Sequence, residues 1–176
     1  ISRAPVREGM KELEKEGIVI TVPRKGTYVM EFSVEDIKEV FDIRLLLEND
    51  ILEILLHENK LEENDFKHLE GLVEEMVEVA CSDMDDLDKS IAINLKDMEF
   101  HRYIWEKSGS QRRVKILKDI FFQLRMAMLY DMNETGDLYT SAADHYEIID
   151  SLRSKDLERC KKALKEHIIS YKEGKF

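Results

Sequence analysis

Residues 33–58, SVEDIKEVFDIRLLLENDILEILLHE, carry one pattern from end to end. Ile37, Val40, Phe41, Leu45, Ile51, Leu52 and Leu55 recur at intervals of three and four, which places them on one broad face of an α-helix. Ser33 is suited to cap its N-terminus, and the acids of the first turn suit the positive end of the helix dipole. No strand of ordinary length would carry such a period, so this stretch predicts a helical body.

Working outward toward the C-terminus, the pattern returns. Residues 64–80, NDFKHLEGLVEEMVEVA, place Phe66, Leu69, Leu72, Val73, Met76 and Val77 on one face. Acidic SDMDD separates them from LDKSIAINLKDMEFHRYIWEKSG, which ends at Gly109. RRVKILKDIFFQLRMAMLYDM follows, then the break NETGD, then YTSAADHYEIIDSLRS and DLERCKKALKEHIISYKEG. These segments predict an all-α antiparallel bundle of about six helices over residues 31–176.

Working back toward the N-terminus, the period changes. In ISRAPVREGMKELEKEGIVITVPRKGTYVM, Ser2 is suited to cap a helix, Val6, Met10 and Leu13 keep helical spacing, and Gly17 is a stop. IVIT and TYVM then flank VPRKG, which predicts a β-hairpin. A short helix followed by a two-stranded ribbon is how a winged helix-turn-helix ends, so residues 1–30 are expected to form the C-terminal part of such a domain. The pattern is already running at Ile1, and we expect the natural protein to have residues before it.

Charge supports two jobs for one chain. The net charge is −11. Residues 1–30 hold six basic and four acidic side chains, a balance of +2, which leaves −13 on the remainder. A basic end on an acidic body argues against nucleic-acid binding by the whole surface. No apolar run approaches the ~18 residues a membrane span requires, and no signal-peptide pattern opens the chain. Cys81 and Cys160 have no CxxC spacing, so a reducing, cytoplasmic setting is expected.

Among five histidines, His57 and His68 sit among charges and read as structural or surface residues. Asp97 and His101 lie at i and i+4 on one helix face, within reach of a common ion, a spacing that equally describes a helical ion pair. His145 and His167 fall on the last two helical segments among apolar neighbours, Ile148, Ile149 and Leu152 for the first and Ala163, Leu164 and Ile168 for the second. Bundles build metal sites from such inward side chains. Spacing alone leaves metal site and ion pair both open, since no HExxH-type motif is present.

SRAPVREGMKELEKEGIVITVPRKGTYV resembles the recognition helix and wing of GntR-type bacterial transcription regulators, with Ala4 where Thr is usual and Gly9-Met10 where Ala-Leu is common. FDIRLLLE, DMEFHRYIWEKSGS, DHYEIIDSLRSKD and CKKALKEHI resemble the FCD effector domain of the FadR-like branch of that family, with Gly109-Ser110 where Gly-Asn is usual. The resemblance implies a homodimer that binds a two-fold symmetric double-stranded DNA operator and responds to a small organic acid. It implies a divalent metal held by Asp97, His101, His145 and His167. On donor chemistry that ion is Zn²⁺ or Ni²⁺, with Mn²⁺ or Fe²⁺ as alternatives. Arg44 then stands as a carboxylate clamp for the effector, its alternative being an ion pair with Glu48; Arg125 is a second candidate. In the head, Ser2, Arg3, Ala4 and Arg7 would face the major groove, and Arg24, Lys25 and Gly26 would form the wing contact. A rival reading is a metal-dependent hydrolase, in which the same Asp and three His would activate water.

Overall fold

The computed structural model describes residues 3–15, 17–31, 33–135 and 137–168, and of residues 130–135 the backbone only. The expected helical cap Ser2 lies outside the described residues. Helix α1 (Arg3–Lys15) leads into an antiparallel hairpin of β1 (Val19–Val22) and β2 (Gly26–Val29), in register Val19↔Val29 and Val22↔Gly26. Gly17 makes the exit from α1 possible. Its φ is +75°, and a Cβ there would collide with the side chain of Gln123 in the body, so both backbone conformation and space favour glycine.

The body begins with α2 (Val34–His57). Its start is fixed by the expected cap: the Ser33 hydroxyl accepts from Asp36 N–H at 3.1 Å, while the Asp36 carboxylate accepts from Ser33 N–H at 2.9 Å. This reciprocal pair satisfies two backbone donors that a helix start otherwise leaves open. There follow α3 (Glu63–Ala80), α4 (Asp86–Lys107), α5 (Gln111–Asp119), α6 (Phe121–Thr135), α7 (Leu138–Ala143), α8 (His145–Ser154) and α9 (Leu157–Ile168).

Among the described residues the six expected segments therefore appear as eight helices, because two segments break. α5 gives way to α6 at Ile120, and α7 to α8 at Asp144. The second break has a local cause. The His145 ring nitrogen Nδ1 lies 3.2 Å from the Ser141 carbonyl and 3.1 Å from that of Ala142. A side chain that takes over carbonyls of the preceding turn interrupts the backbone ladder at that point.

α4 is the central element. It packs against α3 and α6, and also touches α2, α5 and α7, while α2 and α8 both lie against α9. Trp105, Phe100, Ile104, Met98 and Ile93 of α4 are buried with Ile51, Leu52, Leu69, Met76, Ile148 and Leu164. Each such side chain contributes about 1.5–3 kcal/mol through removal from water. The same helix also buries four polar residues, Ser90, Asn94, Asp97 and His101, at helical spacing along one face. A polar stripe inside an otherwise apolar core needs a partner.

Candidate functional site

That partner is assembled from three helices. Asp97 and His101 come from α4, His145 from the first position of α8 and His167 from the last turn of α9. Asp97 Oδ2 lies 3.3 Å from His145 Nε2 and 3.7 Å from His167 Nε2. Asp97 Oδ1 lies 3.6 Å from His101 Nε2, and the Nε2 atoms of His101 and His167 are 3.2 Å apart. One donor atom from each of the four falls within 4.8 Å of all the others. Bond lengths of about 2.0–2.2 Å from a central ion place neighbouring donors roughly 3.0–3.5 Å apart, so the spacing suits one metal ion.

The surroundings decide which nitrogens are free. His101 Nδ1 is 2.8 Å from Glu48 Oε2 of α2. Burial pushes the Glu48 carboxyl up, but His101 and Arg44 outweigh it and hold it at about 2, so it is an acceptor and His101 Nδ1 carries the hydrogen. The lone pair of His101 is then at Nε2, within the cluster. His145 follows the same logic, because the two groups facing its Nδ1 are carbonyls and can only accept. Its Nε2 lone pair therefore faces Asp97. Orientation of a ligand imidazole by a carboxylate or backbone carbonyl on its other nitrogen is the usual support of a metal site.

Asp97 is itself ionised. Burial raises its carboxyl, but His145, His101 and His167 prevail and hold it well below the ordinary carboxylate range. Burial lowers His101, aided by Arg44 and opposed by Glu48; burial likewise lowers His167 well below its ordinary value, with His145 acting in the same direction. Both rings are thus neutral near neutral pH, the form a metal ligand requires. Phe100 closes one side, its ring edge-on to His101 at 5.3 Å and to His145 at 4.7 Å.

Two buried acceptors in this cluster, Asp97 Oδ1 and His145 Nε2, have no hydrogen-bond partner. The contacts of Asp97 at 3.3–3.7 Å are ion-pair distances rather than aligned hydrogen bonds. Lone pairs facing lone pairs in the interior repel unless a cation lies among them. The donor set, two nitrogen lone pairs of fixed tautomer, a third imidazole and a carboxylate, fits a divalent ion.

Arg44 forms the ion pair with Glu48 that was its alternative reading. Its Nε donates to Glu48 Oε1 at 2.6 Å, while Nη2 is buried without a hydrogen-bond partner, at an ion-pair distance of 3.8 Å from Asp97 Oδ1. Arg125 is not brought to the four donors by any described contact: its Nε donates to Asn94 Oδ1 at 3.2 Å, and Asn94 donates back to its carbonyl at 3.3 Å. Sequence reasoning did not identify Glu48 as the group that orients His101. The Arg44–Glu48 spacing was the available signal, and it spoke only of a pair within one helix.

In the head, Arg3, Ala4 and Arg7 on α1, and Arg24, Lys25 and Gly26 at the hairpin turn, are all exposed; Ser2 is outside the described residues. Arg24 adopts φ +64°, which turns the chain at the tip. α1 buries none of its residues, and Val6 remains 56% exposed.

The FCD domain family model matches residues 39–170. The chain is 26% identical over 173 residues to the HTH-type transcriptional regulator YdhC of Bacillus subtilis, covering 97% of this chain and 72% of that protein. It is 30% identical over 163 residues to the gluconate operon transcriptional repressor of the same organism, covering 89% of this chain and 63% of that protein. Among solved structures, E. coli McbR/YncC matches with a TM-score of 0.76 at 20% identity, over 97% of this chain and 83% of that one. A GntR regulator from Rhodococcus sp. RHA1 matches at 0.70 and 19% identity, over 97% of this chain and 78% of that one. These structural likenesses speak for the fold.

Proposed function

The chain belongs to the FCD domain family of GntR-type transcriptional regulators, and from that premise we propose that it senses a small carboxylic acid at a divalent ion held by Asp97, His101, His145 and His167. The single observation that carries the reading is the cluster of four donor residues with ligand atoms within 4.8 Å of one another, in which Asp97 Oδ1 and His145 Nε2 are buried without a hydrogen-bond partner. Charge supports the second half of the proposal. Arg44, Glu48 and Asp97 are all buried and sum to −1. A divalent ion brings the cluster to +1, and a monoanionic ligand would neutralise it. Arg44 Nη2, which has no hydrogen-bond partner, is suited to hold such an anion by a charge-assisted hydrogen bond. Three imidazoles and one carboxylate favour Zn²⁺ or Ni²⁺, with Mn²⁺ or Fe²⁺ as the next candidates.

The rest of the proposal follows the two-part organisation. Residues 1–30 would belong to the DNA-binding end and residues 31–176 to the sensing body. Arg3 and Arg7, one turn apart on an exposed helix face, would read guanine edges beside Ser2 and Ala4. Arg24, Lys25 and Gly26 would meet the backbone at the wing. A homodimer would match a two-fold operator, in the cytoplasm. No helix among the described residues is long and apolar enough to cross a membrane.

The hydrolase alternative finds no support in the nearest spare carboxylate. Glu48 is held by His101 and Arg44 at about 2, far from a base suited to neutral pH. The decisive experiment is anisotropy of a labelled duplex, selected from random sequence by the protein, with metal-loaded and chelator-stripped protein over a panel of carboxylates. The expected result is a carboxylate that changes DNA affinity only when metal is present. No effect from any carboxylate, or the same effect after stripping, would count against the proposal.

A further inference from the structure

A second site lies outside the four-donor cluster. Where α5 gives way to α6, a surface pocket of about 410 Å³ is lined by Arg102, Lys118, Asp119, Phe121, Phe122 and Arg125. This volume is in the range of small-molecule pockets, roughly 300–1,000 Å³. None of its six lining residues is a member of the metal cluster. We propose that it binds a small anion carrying an aromatic group, of the aryl carboxylate class.

Three features point there. First, on a body of net charge −13 the lining is three cations against one acid, a local reversal that draws anions. Second, the charges differ in how far they are already committed. Lys118 is paired with Glu106 at 2.7 Å and Asp119 with Lys115 at 2.5 Å, whereas Arg102 is exposed and has no ion pair among the described residues. Arg125 is fixed by its two-way bond with Asn94, which engages Nε and the backbone carbonyl and neither Nη. A pre-positioned guanidinium beside a free one is a geometry for carboxylate oxygens, because less side-chain freedom is lost on binding. Third, Phe121 and Phe122 are part-exposed beside these cations, and supply ring faces for an apolar body. The break after α5 is what brings lining residues of both helices to one opening. Gln123, the next residue, lies against Gly17 at the end of the DNA-binding helix, so the pocket adjoins the junction of head and body.

The test titrates benzoate into the chelator-stripped full chain by calorimetry, beside inorganic phosphate as the simple-anion control. Saturable benzoate binding is expected, weakened about tenfold or more in Arg102→Ala and partly restored in Arg102→Lys. Arg102 is exposed, so both variants keep the fold. The proposal is overturned by no saturable binding, by equal affinity in Arg102→Ala, by phosphate binding as well as benzoate, or by binding that requires restored metal. The last outcome would place the carboxylate at the four donors instead.

Discussion

Glu48 stands 53 positions from His101 in sequence, yet its carboxylate settles which His101 nitrogen carries the hydrogen. Replacing it by Gln keeps the volume and removes the charge that orients the ring. Glu48→Gln is expected to lower metal affinity about 10–100-fold, read by competition with a chromophoric chelator; unchanged affinity would remove Glu48 from the site. The four donors themselves are legible from spacing only as possibilities, and become a set through the resemblance of DMEFHRYIWEKSGS and the segments of the two later histidines. Glu48 stayed hidden because its role depends on how α2 packs against α4. Titration of the same residues sets acid sensitivity. His101 and His167 hold protons less readily when folded than at their ordinary value of 6.5. Below that pH the unfolded chain therefore binds more protons than the folded one, and stability present above 6.5 is lost as pH falls. Glu48 acts with the same sign lower down, from 4.5 toward about 2. The melting temperature of chelator-treated protein is expected to drop as pH is lowered through 6.5; a flat or rising profile would contradict the neutral-imidazole assignment.

At the scale of elements, α4 joins core and site. Phe100 is fully buried and packs edge-on against two of the imidazoles, so Phe100→Ala should cost about 3–5 kcal/mol in denaturant unfolding. A loss far below that range would mean that the ring supports neither core nor site. The helices were legible in sequence wherever an apolar face ran unbroken, as from Ile37 to Leu55. The breaks were not legible. Ile120 and Asp144 are not helix breakers, and the second break follows from the His145 ring bonding the Ser141 and Ala142 carbonyls. The chemistry of one candidate ligand thus shapes the backbone that carries it. In the head the hairpin was legible from VPRKG between two β-rich runs, and β1 and β2 form there. The recognition reading of α1 awaits its own measurement. Arg7→Ala is expected to weaken binding to the selected duplex by about 1–3 kcal/mol while sparing binding to random sequence. An unchanged ratio would move recognition elsewhere.

Over the whole molecule, an acidic body carries a basic end, and on the proposed reading the net charge of −11 confines nucleic acid to that end. DNA binding should therefore weaken steeply with salt, with log affinity linear in log salt concentration. Arg24→Ala is expected to make that slope shallower by about one phosphate contact. Transmission from body to head requires that a ligand bind two arrangements of the molecule unequally, since equal affinity shifts nothing. All of this rests on whether the four donors hold an ion. The most direct test is elemental analysis of the purified chain after gel filtration, beside the variant in which His145→Ala and His167→Ala are combined and circular dichroism verifies the helices. The account predicts one divalent ion per chain in the parent and none in the variant. No ion in the parent after exposure to Zn²⁺ or Ni²⁺, or one ion per chain still in the variant, would contradict it.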